Sequence, residues 1–178
     1  MLNSVESVLV LVDFQGKLAG IVDRADLVLP NVLRMVKGCQ AMDVPVLPTL
    51  QVPEKLGPIL PVLDEVLGVE PVAKSSFSAL REPEFMLRLE QTSRRQVILM
   101  GIEAHVCVLQ TGMDLLDAGF EVHVLSDGVF SRTAENHRLA LERLHDAGAV
   151  ISSVEISLFE MIRTSLHLQF KTISKLIK

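Results

Sequence analysis

Three side chains in this 178-residue chain could together attack and deprotonate a substrate: Cys107, Asp13 and Lys74. Cys107 stands in Gly101-Ile-Glu-Ala-His-Val-Cys107-Val, just after an apolar run and just inside a helical pattern. A helix start offers free backbone N–H groups and the positive end of the dipole. Both favour a thiolate, and a nearby lysine lowers the thiol pKa further, so this position predicts an acidic thiol. The same N–H groups could hold the oxyanion that forms when sulfur attacks a carbonyl. Asp13 closes the apolar run 7–12, where an unpaired carboxylate is costly, and could serve as base for the thiol. Lys74 ends a short run at 70–73 and could hold acid and thiolate in one ionic network. Taken singly, each has a commoner bland reading: a buried inert cysteine, a turn acid, a solvated lysine. Together, at three strand ends, they are harder to dismiss.

The elements that would position them follow from periodicity. Residues 7–12 read as a strand apolar on both faces, as in a parallel sheet covered on each side. A helical pattern over 25–42 follows, with Pro30 tolerable only near its first turn. Residues 44–50, 70–73, 96–100, 120–125 and 149–152 read as further strands. Residues 51–61 read as a loop, and Asp127-Gly128 as the turn after the fifth strand. Helices are predicted at 83–92 from Pro83, at 105–118 up to Gly119, and at 133–147 capped by Thr133. This alternation predicts a single α/β domain over 1–178, with helices on both faces of one parallel sheet. In such sheets the site lies beyond the carboxyl ends of the strands.

Composition narrows the function. Seventeen Lys and Arg against 22 Asp and Glu give a formal charge of −5, the wrong sign for a general nucleic-acid binder. Trp and Tyr are absent, which leaves little for a base-stacking platform. No segment approaches the roughly 20 apolar residues of a membrane span, and no basic leader precedes one. Two cysteines outside any CxxC pair make neither a disulfide framework nor a thiolate zinc site, and point to a reducing, cytoplasmic setting.

At this point the chain resembles the isochorismatase-like cysteine hydrolases, especially the small single-domain isochorismatase-domain proteins. Leu11-Val-Asp13-Phe-Gln15, Ala73-Lys74-Ser-Ser-Phe77-Ser78 and Gly101-Ile-Glu-Ala-His-Val-Cys107-Val look like its three signature segments. Their order and spacing carry the resemblance, and Glu121-Val-His-Val-Leu-Ser-Asp127-Gly128 also fits. The resemblance implies a three-layer α/β/α fold on a six-stranded parallel sheet and an Asp13, Lys74, Cys107 triad. Cys107 would attack, Asp13 would shuttle the proton and Lys74 would stabilise the ionised pair. It further implies a cis peptide at Ile102–Glu103 that aims the Glu103 N–H, with that of Cys107, into an oxyanion hole. Phe14, Gln15, Gln51, Phe77 and His105 fall near the expected mouth as substrate contacts; Phe77 reads equally as core, and His105 as a helix-start residue bonded to backbone.

The pattern departs from nicotinamidase-type relatives at Leu50-Gln51-Val-Pro-Glu54, which lacks their Asp-x-His metal cluster. The five histidines show no ligand spacing, so no metal and no cofactor is expected. The presence of the thiol favours hydrolysis of a C–N bond in a small amide over vinyl-ether cleavage. The alternative is a non-catalytic relative that binds a metabolite or a protein. A ribonuclease, a label some relatives carry, fits poorly with the charge. Phe170, Ile173, Leu176 and Ile177 share one face of the tail, with Lys171, Lys175 and Lys178 among them; a membrane-surface helix is one reading, and docking on the domain itself or on a second subunit is the favoured one. Cys39 reads as structural. A homo-oligomer, dimer or larger, is expected from the family.

Overall fold

A computed structural model describes residues 1–21 and 25–178. Among these residues the chain builds six strands: β1 Ser7–Val12, β2 Val46–Gln51, β3 Val72–Lys74, β4 Gln96–Ile102, β5 Glu121–Phe130 and β6 Val150–Ser152. All neighbours pair in parallel, in the order β3-β2-β1-β4-β5-β6. Helices α1 Gly16–Ala19, α2 Ala25–Ala41, α3 Pro53–Leu56, α4 Pro61–Leu67 and α5 Pro83–Thr92 lie between the early strands. The later ones are α6 Leu109–Asp117, α7 Ala134–Asp146, α8 Val154–Ile162 and α9 Phe170–Ile177.

Every residue of β1 and of β4 is buried, because each central strand is covered on both faces. Alternation along β1 sorts its side chains by face. Leu9 and Leu11 join a core with Val32, Met35 and Val36 of α2, Leu63 of α4 and Leu158 of α8. Val8, Val10 and Val12 join another with Phe85 and Leu89 of α5, Leu115 of α6, and Ala140 and Leu144 of α7. These are the three layers the resemblance implies. Gly101 sits beside Val12 in the β1–β4 ladder, and a Cβ there would lie 2.5 Å from the valine Cβ. Only glycine lets the two strands close at the end that carries the site.

Four boundaries differ from the sequence reading. Pro30 stands six residues into α2 rather than in its first turn, and it is exposed there. The 51–61 segment is not plain loop: α3 makes one turn, and α4 starts at Pro61. Asp127-Gly128 lies inside β5, not after it, because the register against β4 slips between Leu99 and Gly101 and the strand carries the surplus as a bulge. Fourth, β3 runs one residue further, so Lys74 belongs to the strand. The tail docks on its own domain: Ile173 is fully buried in the leucine-side core, with Phe170, Leu176 and Ile177 packed against it. Among the described residues, no helix is long and apolar enough to cross a membrane.

Candidate active site

Beyond β1 the chain leaves for β2 on one side, while β4 lies on the other. That reversal opens a crevice at the carboxyl ends, and the reactive residues gather there. Asp13 follows β1 directly, and its φ of 58° swings the chain out of the strand path. Its carboxylate is fully buried, so it survives as a charge only with partners. Oδ2 accepts from Lys74 Nζ at 2.7 Å, and Oδ1 accepts from Thr49 Oγ1 at 2.9 Å. Both side chains of the ion pair are shielded from solvent.

Lys74 is held by strand register, because Gln51 of β2 pairs with Lys74 of β3. Its ammonium also donates to Gln51 Oε1 at 2.5 Å and to the carbonyls of Ser76 and Phe77 at 3.3 and 3.2 Å. Gln51 Oε1 in turn accepts from Cys107 Sγ at 3.9 Å. One amide oxygen thus links ammonium and thiol. Gln51 Nε2 donates to the Ser75 carbonyl at 2.8 Å, which fixes the amide orientation.

Cys107 rides on a wide π-type turn, Ala104–Val108, ahead of α6. The turn is closed by Val106 N and Val108 N donating to the Glu103 carbonyl at 3.1 and 3.2 Å. Such turns recur at functional sites. The Ile102–Glu103 peptide is cis, where the resemblance placed it. Glu103 is buried, and its carboxylate accepts from Arg132 Nε at 2.8 Å and Nη2 at 3.1 Å. His105 Nδ1 shares a hydrogen bond with Ser131 Oγ at 2.9 Å, so its partner is a side chain rather than backbone.

The electrostatics reverse one expectation. The thiol is not acidic: burial, then the neighbouring Asp13 charge, push its pKa up to about 12, and Lys74 offsets only part of this. Burial also raises the Asp13 pKa, against the pull of Lys74, Thr49 and the thiol. The resting site is a neutral thiol beside a buried carboxylate–ammonium pair. A carboxylate with a raised pKa is a better proton acceptor near neutrality.

The other expected contacts divide. Gln51 is in the cluster, bridging its members. Gln15 is fully buried and clamps backbone: Oε1 accepts from Gln51 N at 2.8 Å, and Nε2 donates to the carbonyls of Gln51 at 3.1 Å and Gly57 at 2.7 Å. Phe14 packs into the leucine-side core, because the turn at Asp13 sends the next side chain inward. Phe77 is half exposed and so is not core, and its carbonyl helps seat Lys74. Thr49, Ser131 and Arg132 went unread in the sequence. A lone hydroxyl in an apolar strand was the available signal for Thr49; nothing local marked the other two.

A family model for the isochorismatase domain matches residues 7–156. The secreted isochorismatase effector Isc1 of Phytophthora sojae is 41% identical over 177 residues, covering 97% of this chain and 84% of the effector. The structure of MAR1 ribonuclease from Caenorhabditis elegans matches with a TM-score of 0.93 at 34% identity, covering 99% of this chain and 91% of that one. The YcaC gene product of Escherichia coli, an octameric hydrolase of unknown specificity, matches with a TM-score of 0.89 at 22% identity, over 99% and 94% of the two chains.

Proposed function

The chain belongs to the isochorismatase family, and from that premise we propose that it is a cysteine hydrolase acting on a C–N bond of a small amide-type substrate. The observation that carries the reading is one buried cluster in which Gln51 Oε1 joins the Lys74 ammonium to the Cys107 thiol, with Asp13 ion-paired to Lys74. Because the resting thiol is protonated, attack is coupled to proton transfer. Sulfur bonds to the amide carbon as Asp13 takes the S–H proton, and the carbonyl oxygen becomes an oxyanion. The N–H groups of Glu103 and Cys107 hold that charge. Asp13 returns the proton to the leaving nitrogen as the C–N bond breaks, leaving a thioester. Water then attacks the thioester, with Asp13 again taking the proton, and the acid departs as the thiol reforms. Lys74 keeps the Asp13 carboxylate ionised between steps.

We assign this role to the whole chain, 1–178, as one domain in a reducing, cytoplasmic setting, with no metal or cofactor. We also propose a homo-oligomer, consistent with the octameric E. coli relative, with Leu166 and Leu168 on its interface. These leucines are 89% and 95% exposed, and a subunit contact there would remove both from water. The test of the enzymatic reading is turnover across a panel of small primary amides with wild-type and Cys107→Ala protein. Loss of turnover with an unchanged melting temperature is expected; turnover that survives the substitution refutes the mechanism. Should RNA be degraded only when Cys107 is present, the ribonuclease activity named for the C. elegans relative takes its place.

A further inference from the structure

The mechanism above uses the main-chain N–H of Glu103 but neither its carboxylate nor Arg132, yet that side-chain pair sits against the nucleophile. Glu103 heads the turn that carries Cys107, and its main-chain carbonyl closes that turn. Its side chain is only 8% exposed, whereas that of Arg132 is 56% exposed. The two meet through a bidentate contact, the geometry in which a guanidinium fork holds a carboxylate most firmly. Arg132 is delivered by β5, whose last residue Phe130 pairs with Ile102 of β4. The adjacent Ser131 latches His105 of the same turn. Two neighbouring residues past β5 thus grip two residues of the nucleophile turn.

We propose that Arg132 is a positioning residue acting through Glu103: it neutralises and holds the buried carboxylate, and so fixes the turn that aims the Cys107 thiol. A buried carboxylate stripped of its partner is driven towards water. Here that movement would carry the start of the turn with it. The proposal rests on the nucleophilic role of Cys107, and its test separates the two claims without needing the natural substrate.

The probe is acrylamide, a small neutral amide electrophile, with adducts resolved by mass spectrometry and buried Cys39 as internal reference. In wild-type protein, Cys107 should react faster than Cys39. Arg132→Ala should slow Cys107 about tenfold, the scale of a small misplacement of a reacting group, while leaving Cys39 unchanged. Arg132→Lys should fall between. The double variant Glu103→Gln/Arg132→Ala, which strands no charge, should recover most of the rate. A rate for Arg132→Ala within twofold of wild type overturns the proposal, as does a loss that the double variant fails to restore. If Arg132→Ala does not fold, the double variant alone decides: near-wild-type reactivity supports the proposal, and a tenfold loss overturns it. Wild-type Cys107 as inert as Cys39 would instead overturn the nucleophile assignment, and this inference with it.

Discussion

Removing the Lys74 ammonium tests the electrostatic heart of the site. Lys74→Met keeps the apolar stem and deletes the charge. Both partners of the Asp13–Lys74 pair are fully buried, with nitrogen and oxygen 2.7 Å apart. The variant therefore leaves an uncompensated carboxylate in the interior, together with the acceptor oxygens of Gln51, Ser76 and Phe77 that the ammonium had satisfied. Breaking one side of a buried pair costs about 3–5 kcal/mol. At roughly 2–4 °C per kcal/mol for a domain of this size, the melting temperature should fall by about 6–20 °C at pH 7. Acid should relieve the loss. Burial raises the Asp13 pKa against the opposing pull of Lys74, so once the ammonium is gone the interior favours the neutral acid. Stability from that source is full at low pH and is lost as pH rises from the unfolded value of about 3.9 through the folded one. The deficit of Lys74→Met should thus shrink between pH 7 and about pH 5, and Asp13→Asn/Lys74→Met should recover more than half of it at pH 7. Urea unfolding at both pH values reads all three quantities. A single variant within about 1 kcal/mol of wild type at pH 7, the scale of an exposed pair, would refute the reasoning. So would a deficit that deepens on acidification.

Three further outcomes follow from the same geometry. With the thiol pKa at about 12, iodoacetamide labelling of Cys107 should keep rising with pH beyond 9, and Asp13→Asn should move the curve to lower pH; a wild-type plateau below pH 8 would contradict the assigned electrostatics. Ile173→Ala removes a fully buried side chain that seats α9, so urea unfolding should show a loss of about 2–5 kcal/mol, and hydrogen exchange should rise first in the tail; a loss below about 0.5 kcal/mol would mean that α9 does not hold the core. Leu166→Asp/Leu168→Asp should reduce the mass found by light scattering without lowering the intrinsic fold content; an unchanged mass would place the interface elsewhere.

Much of the frame was legible because burial dictates composition. A strand covered on both faces admits only apolar residues, so β1 and β4 declared themselves, and a charge at the end of the β1 and β3 runs drew attention to Asp13 and Lys74. What failed was whatever depends on register or on a single dihedral. Gln51 bridges thiol and ammonium because it lies opposite Lys74 in the β2–β3 ladder, a fact of strand alignment that no local pattern contains. Phe14 became core because Asp13 adopts a left-handed φ. The thiol was expected to be acidic from its place at a helix start, a local argument. Burial and a carboxylate brought from β1 outweigh that argument, and both are products of the tertiary fold.

Gln15 has a consequence of its own. The main-chain ladder between β1 and β2 ends where Asp13 N donates to the Thr49 carbonyl. At the next rung, Gln51 finds both its N–H and its carbonyl answered by the Gln15 carboxamide. The side chain is a surrogate peptide unit, grafted on where the real one has turned away. Asparagine is a methylene too short to reach, and glutamate can accept but not donate. Position 15 therefore answers to the grammar of the sheet, and relatives that exchange one substrate for another would have no reason to change it.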